Sequence, residues 1–127
     1  MNRAEKYLVI DDISGRIPHG VVFKTDWGNK TLKGIQYDNV NTLLYFGVCN
    51  STNKVIETYV SEVKPYLFPI SSMSDEQDKE LLAILEDKSD DEFEYKVVDF
   101  YNKNHIDYRG LIPKGLALDA TGLNIYF

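Results

Sequence analysis

The sequence places a histidine, an aspartate, a tyrosine and an arginine within five positions, in the segment NHIDYRGLIPKGLAL at residues 104 to 118. A histidine acts as a general base when a carboxylate orients it, and an arginine holds an anionic substrate through a two-pronged hydrogen-bond fork. His105, Asp107 and Arg109 therefore have the residue types of a catalytic site. Their grouping in sequence is a weak signal for that chemistry, because the same residue types also suit a helix end and the turn after it.

We favour a structural interpretation of this segment, with a partner-binding surface as the alternative and catalysis as a third hypothesis. His105 follows a predicted helix, where its imidazole can bond the last free carbonyl groups and complement the helix dipole. Asp107 can accept hydrogen bonds from backbone N–H groups in a turn, and Arg109 can pair with the acidic residues of two neighbouring helices. The sequence thus predicts a structural or interaction motif at His105, Asp107, Tyr108 and Arg109, and it assigns no catalytic residue.

Periodicity along the chain predicts the elements that would position this segment. Ile10, Ile13 and Ile17 recur at helical spacing, which predicts a short helix before Pro18, although the apolar run that ends at Ile10 could also begin a strand. From residue 21 onward the pattern is typical of β-structure, and four strands with three turns are predicted. The strands are VVFKT, TLKGIQYD, LLYFGVC and KVIETYV, and the turns are WGNK, DNVN and NSTN.

The four strands are predicted to form a strongly bent antiparallel meander. Leu32 and Ile35 are an odd number of positions apart, so they share a strand face only if the strand slips by one residue, and Gly34 between them suits a β-bulge. A bent meander of short strands closes most easily into a small barrel, here an SH3-like one. KPYLF at residues 64 to 68 would be its fifth strand, after a short link at residues 61 to 63.

Two helices are predicted beyond the β-region. Ser74 with Gln77 three residues later matches a capping box, and the helix that it opens runs to Glu86. The apolar face of this helix is predicted to consist of Leu81, Leu82 and Leu85. The polar run DKSDD then separates it from a second, antiparallel helix at residues 93 to 103.

Together these elements predict an α+β fold that forms one cooperative unit. Residues 1 to 70 would hold the β-barrel or meander with its short N-terminal helix, and residues 71 to 127 the acidic helical pair and a docking C-terminal segment. This segment is too apolar for a free tail, and Pro113 and Gly115 interrupt it too often for a helix. We expect it to lie in a groove between barrel and helices, through Leu111, Ile112, Leu116 and Leu118.

No motif for catalysis, a cofactor or a metal is complete in the sequence. Gly110 and Gly115 have the spacing of a phosphate-binding P-loop, but Leu116 and Ala117 stand where that motif requires Lys and Ser or Thr. The two histidines and the single cysteine are too far apart in sequence for zinc-ligand spacing. We therefore expect no enzymatic activity, no cofactor and no metal.

The chain is acidic, with a formal net charge of −6, and residues 71 to 127 hold thirteen acidic and six basic residues. This charge disfavours nucleic-acid binding, because Lys and Arg contacts to phosphate supply most of the non-specific affinity. A localised nucleic-acid face on the barrel would consist of Lys24, Trp27, Lys30, Lys33 and Tyr37, whose rings could stack on bases. The apolar runs are too short for a signal peptide or a membrane span, so we expect a cytoplasmic protein without a membrane partner.

Three motifs follow one another along the chain: RIPHGV at residues 16 to 21, VKPYLFPISSM at residues 63 to 73, and the segment at residues 104 to 118. Together they resemble a family of small uncharacterised proteins from prophages and mobile elements of gut anaerobic bacteria, although Phe68 and Ile106 stand where that family usually has Arg and Phe. The resemblance implies a bacterial or phage setting and no assigned activity. We expect a non-catalytic module that binds a protein partner, with a nucleic-acid accessory protein as the alternative and an enzyme as the third hypothesis.

Overall fold

The structure is a computed structural model, and it describes residues 1–37, 41–87, 89 and 91–126. Within these residues the chain is α+β, as predicted, with three α-helices and eight short strands. The helices are α1 (Arg3–Ser14), α2 (Asp75–Glu86) and α3 (Phe93–Lys103). The strands are β1 (Val22–Thr25), β2 (Gly28–Thr31), β3 (Gly34–Tyr37), β4 (Thr42–Val48), β5 (Val55–Tyr59), β6 (Lys64–Pro69), β7 (Ile106–Asp107) and β8 (Leu118–Asp119).

Capping boxes define where α1 and α2 begin. The side chain of Asn2 accepts the backbone N–H of Glu5, and the Glu5 carboxylate accepts the backbone N–H of Asn2. Ser74 and Gln77 form the same reciprocal pair at the start of α2, as predicted. The predicted N-terminal helix is confirmed as α1, but it begins well before Ile10 and ends at Ser14, so Ile17 lies outside it, in a 3₁₀ helix at Ile17–His19.

The strands form two sheets instead of one meander. The first sheet has the order β2-β1-β6-β7, with β8 also paired to β6, and the second is the antiparallel meander β3-β4-β5. β1 and β2 form a tight hairpin in which Thr25 pairs with Gly28. The predicted turn at WGNK is therefore wrong for residues 28 to 30, which belong to β2, whereas NSTN does connect β4 to β5.

The chain bends between the two sheets close to the position where a β-bulge was predicted. It leaves the first sheet at Thr31 and enters the second at Gly34, and the buried Leu32 lies in the break between the two strands. The predicted bulge at Gly34 is wrong, because β3 and β4 pair there in regular register. The irregular register lies in β4 beside Gly47, whose φ of +107° is rarely adopted by residues with a Cβ.

The described strands do not close into a barrel, and the SH3-like arrangement is not confirmed. The predicted fifth strand exists as β6, which pairs with β1, and a 3₁₀ helix at Val60–Glu62 takes the place of the predicted short link. Three residues of the predicted turn DNVN, 38 to 40, and two residues of the linker DKSDD, 88 and 90, lie outside the described residues.

Two hydrophobic clusters form the interior. The larger one joins α1, both sheets and the C-terminal segment, and it includes the fully buried residues Ile13, Phe23, Leu44, Leu67 and Leu111. The smaller one joins α2, α3 and β7 through Leu81, Phe100 and Ile106. Leu82, predicted to face the core, is instead 55% exposed, because α2 packs along one narrow side only.

The helices α2 and α3 are antiparallel, as predicted. Gln77, in the first turn of α2, donates a side-chain hydrogen bond to Asn104, which follows the last turn of α3. Lys103, in the last turn of α3, pairs with Glu80 in the middle of α2, with 2.6 Å between Nζ and Oε1.

The C-terminal segment docks on the folded chain, but its position differs in part from the prediction. Leu111 and Leu116 are buried in the larger cluster, and Ile112 packs against that cluster. β7 and β8 add short parallel pairs to β6. The segment thus lies mainly against the sheets and α1, and it contacts the helical pair at β7 and through Tyr108, which stacks on Tyr101 of α3.

Candidate functional site

A buried ion pair beside α1 anchors the polar segment around His105. The fully buried Arg16 binds both carboxylate oxygens of the buried Asp12, with Nε–Oδ2 at 2.8 Å and Nη2–Oδ1 at 3.1 Å. Its Nη2 also donates to the backbone carbonyl of Ile106 at 2.6 Å, and its Nη1 to that of Tyr101 at 3.4 Å. These extra hydrogen bonds offset part of the cost of burying the charge. One side chain therefore joins α1, α3 and β7.

Neither Asp12 nor Arg16 was assigned a role from the sequence. Their spacing is the signal that could have found them, because side chains four residues apart face each other on a helix and an acid followed by an arginine is the favourable order. Arg16 is also the first residue of the RIPHGV motif. The other partners of Arg16, the backbone carbonyls of Tyr101 and Ile106, are far from it in sequence, so no local spacing indicates them.

Tyr108 and Arg109 cover the ion pair. The Tyr108 ring stacks on Tyr101 with ring centroids 5.1 Å apart, and the Arg16 guanidinium lies 5.6 Å from the centre of the Tyr108 ring. Arg109 donates to the Tyr108 hydroxyl, and its Nε lies 3.6 Å from Oδ1 of Asp12. Among the described residues the carboxylate partner of Arg109 is on α1. The predicted pairing with the acidic helices is therefore wrong, because β7 carries Arg109 to α1.

Asp107 closes the turn that follows β7. Its Oδ1 accepts the backbone N–H of Leu111 and its Oδ2 that of Ile112, each at 2.8 Å. Gly110, inside the turn, has a φ of +76°, which glycine adopts without steric cost. The predicted turn role of Asp107 is confirmed. Both carboxylate oxygens are used by the backbone, so this group does not orient an imidazole.

His105 is 9% exposed and has a neutral, stacked ring. The imidazole lies on the ring of Tyr126, with centroids 3.6 Å apart and an angle of 9° between the planes. Burial, together with the nearby charges of Arg16 and His19, lowers the pKa of His105 to about 4. A base of that pKa is poorly suited to proton abstraction near neutral pH.

The predicted bond from the His105 ring to the last carbonyls of α3 is wrong. The backbone N–H of His105 bonds to the carbonyl of Asn102 at 3.2 Å, and a φ of +57° turns the side chain away from the helix toward Tyr126. The buried Nδ1 has no hydrogen-bond partner among the described residues.

Tyr126, which sequence reasoning left without a role, fastens the C-terminal end to the first sheet. Its hydroxyl accepts the backbone N–H of Val22 at 2.8 Å and donates to the carbonyl of Tyr66 at 2.7 Å, so it bridges β1 and β6. Burial raises its pKa to about 12. The polar atoms around His105 are thus mostly bonded to other parts of the same chain, which is the pattern of a scaffold.

The predicted nucleic-acid face is distributed over both sheets. Lys24 lies opposite Asn29, whereas Lys30 lies opposite the buried Phe23. Directly opposed residues share a face, so Lys24 and Lys30 project from opposite faces of the hairpin. Trp27 lies in the hairpin turn, and Lys33 and Tyr37 lie beside or on β3 in the second sheet. This face stays a prediction.

An apolar surface lies on the second sheet, and we call it the outer sheet face. Three successive cross-strand pairs of β4 and β5 define it, namely Leu43 with Tyr59, Tyr45 with Glu57, and Val48 with Val55. Val48, Val55 and Tyr59 are 48%, 53% and 41% exposed, whereas the opposite side of the same strands carries the buried Leu44 and Ile56. Glu57 is the one charged member of these three pairs.

Within the described part of the chain, no group of three His, Cys, Asp or Glu residues is placed to hold a metal ion. Among the same residues, none of the helices combines the length and the apolar character that crossing a bilayer requires. No protein-family model, curated protein or solved structure matches the chain. Function must therefore be inferred from the geometry of the chain itself.

Proposed function

We propose that the protein is a non-catalytic interaction module that binds a partner protein through the outer sheet face. The observation that carries this proposal is the exposure of Val48, Val55 and Tyr59 on one side of two paired strands. A contiguous apolar patch on the surface commonly marks an interaction site, because contact between apolar surface and water is unfavourable.

The charge on the outer sheet face itself selects the kind of partner. The three strand pairs that define this face carry Glu57 and no basic residue, whereas the acidity of the whole chain belongs to residues 71 to 127. Two copies of this face would place like charges together, which opposes self-association. The partner is therefore a protein with a basic surface around an apolar patch, and the segment with His105, Asp107, Tyr108 and Arg109 acts as scaffold.

The same proposal includes an SH3-like description of the fold and a bacterial, phage-related origin of the protein. The strand connectivity supports an SH3-like description, because the β1-β2 hairpin runs into the β3-β4-β5 meander and β6 then returns to β1 after a 3₁₀ helix. In this description β2 and β3 are two halves of one bent strand. The order of the three sequence motifs supports a bacterial, phage-related setting, and cytoplasmic localisation goes with it.

Two matched variants test the proposed surface. A partner captured from a bacterial lysate would be purified, and its affinity measured by calorimetry for the wild type, Val55→Lys and Leu82→Lys. Val55 and Leu82 are 53% and 55% exposed, on β5 and α2 respectively. We expect Val55→Lys to weaken binding by about tenfold or more and Leu82→Lys by less than about twofold. The reverse order would place the contact on the acidic helices, and a dimer of this chain in place of a basic partner would also contradict the proposal.

A nucleic-acid-associated function is the alternative proposal, supported by the exposure of Trp27 and Tyr37. Fluorescence anisotropy with single-stranded and duplex DNA, at low and at physiological salt, measures it directly. Binding through phosphate contacts must weaken as salt rises. An absence of affinity, or affinity that does not depend on salt, would reject this alternative.

A further inference from the structure

We infer that a second site, for a phosphate-bearing small molecule, lies where β1, β6 and the C-terminal segment meet. Two adjoining depressions of about 310 and 270 Å³ share Glu62, Val63 and Lys64. Lys114 lines the first depression and Lys24 lines the second. Three lysines from three separate parts of the chain therefore line one small region.

In the absence of a bound anion, the placement of Lys24 and Lys64 destabilises the pairing of β1 with β6. The two residues are directly opposed in the β1-β6 pair, and both are exposed. Directly opposed side chains share a face and have Cβ atoms roughly 4.5 to 5.5 Å apart, so like charges there destabilise the pairing. An anion bound between the two lysines would remove this repulsion.

Two carboxylates, those of Glu5 and Glu62, line the depressions with the three lysines, so the lysines outnumber them and the region keeps a positive charge. The Glu62 carboxylate accepts the hydroxyl of Thr58 at 2.9 Å, and the Glu5 carboxylate accepts the backbone N–H of Asn2 at 3.0 Å in the capping box of α1. Within the described residues, none of the three lysines forms an ion pair. Unpaired cations in a chain with 20 acidic and 14 basic residues indicate a local site for an anion.

The lining of the depressions indicates the class of ligand. Lysine ammonium groups bind phosphate oxygens as point charges, and the hydroxyl of Ser61 adds a further donor. Val63, Leu116 and Leu118 supply an apolar floor for the organic part of a ligand. The volumes match a small molecule better than a polymer. This site is on the first sheet, apart from the outer sheet face, so it does not depend on the proposed partner.

Titration of inorganic pyrophosphate into the isotopically labelled protein, followed by NMR, tests the site. We expect saturable shifts concentrated at the backbone amides of Lys24, Lys64 and Lys114, which weaken between about 50 and 200 mM salt. Lys64→Gln should lower the affinity by about fivefold or more, since it removes a charge-assisted hydrogen bond. Lys79→Gln, at an exposed lysine of α2, is the matched control and should leave the affinity unchanged.

Thermal unfolding in phosphate-free buffer tests, without any ligand, whether Lys24 and Lys64 repel each other. Lys64→Gln should raise the melting temperature above that of the wild type, because it removes the repulsion with Lys24. A lower melting temperature for Lys64→Gln would overturn the argument from charge. Shifts that do not saturate, or an equal loss of affinity in Lys64→Gln and Lys79→Gln, would overturn the site itself.

Discussion

The polar segment at residues 104 to 118 and the outer sheet face differ in composition and in exposure. The first holds polar side chains that are buried, and the second holds apolar side chains that are exposed. The first region holds His105, Asp107 and Arg109, yet its histidine and aspartate are buried and bonded or stacked within the chain. The second region is mostly apolar, yet Val55 is 53% exposed. Residue type indicates chemistry only where tertiary contacts leave the functional atoms free. Those contacts bury His105 and Asp107 and leave Val48, Val55 and Tyr59 exposed.

Arg16 explains how the polar segment is held against the rest of the chain. Its guanidinium links the carboxylate of Asp12 to the carbonyls of Tyr101 and Ile106, so a charge from α1 holds the end of α3 and the start of the segment. Among the described residues, no buried charge of this kind holds the outer sheet face to another part of the chain. A set of substitutions should therefore separate the two regions by their effect on stability and on binding.

Loss of the buried ion pair should have the largest effect. Arg16→Met leaves the buried carboxylate of Asp12 without its bidentate partner, which should lower the free energy of unfolding by about 3 to 5 kcal/mol. Urea denaturation measures this change. The double variant Asp12→Leu/Arg16→Met should recover a large part of the loss, because no fully buried charge is then left unpaired and Arg109, which also lies near Asp12, is 30% exposed to water. A loss below about 1 kcal/mol for Arg16→Met would mean that the pair does not anchor the segment.

Acidification should destabilise the protein through His105. Its pKa is about 4 in the folded chain and about 6.5 in an unfolded one, so the unfolded state binds more protons between these values. The stabilisation is therefore complete above pH about 6.5 and is lost as the pH falls toward about 4, by about 3 kcal/mol in total.

The variant His105→Phe isolates this contribution, because it keeps an aromatic ring for stacking on Tyr126 and removes the titrating group. Urea denaturation at several pH values should show a shallower pH dependence for the variant, although carboxylates still contribute in both proteins. Parallel curves for the variant and the wild type over this range would show that His105 is not buried in neutral form.

The free energy of unfolding should fall by a smaller amount when the turn after β7 loses one hydrogen-bond acceptor. Asp107→Asn keeps the size of the side chain but leaves either the Leu111 or the Ile112 N–H without an acceptor, at a cost of about 1 to 3 kcal/mol. Thermal and urea denaturation give this value. If the partner protein then binds with unchanged affinity, the turn is scaffold, whereas a selective loss of binding without a loss of stability would place the contact at this segment.

The smallest effect on stability should come from the outer sheet face. Val55→Lys changes an exposed side chain away from the core, so the free energy of unfolding should stay within about 0.5 kcal/mol of the wild type. This is the same variant that should abolish most of the partner binding. A loss of several kcal/mol would mean that the face is covered by another part of the chain and is not a docking surface.

Local signals in the sequence predicted the helices and strands. Contacts between distant residues determine how the strands are divided between sheets and which polar side chains meet. The capping box at Ser74 and Gln77 and the apolar spacing of α3 were sufficient to define the helical pair. The sequence indicated an irregularity near Leu32 but not its kind. A single strand with a bulge and two strands in different sheets have the same local pattern of residues. The pairing of Arg109 with Asp12 and the bridge made by Tyr126 depend on residues far apart in sequence, which periodicity does not report.

The exchange rate of the backbone amides of Leu111 and Ile112 tests most directly whether the polar segment is scaffold. These N–H groups bind the Asp107 carboxylate, whereas the N–H of Leu32 binds the carbonyl of Val21 in the core. Native-state hydrogen exchange gives the opening free energy of each amide. We expect the amides of Leu111 and Ile112 to open with the same free energy as the amide of Leu32, in one global unfolding step. Exchange several kcal/mol easier at Leu111 and Ile112 would show a segment that detaches from the folded chain, and would return His105, Asp107 and Arg109 to consideration as a functional site.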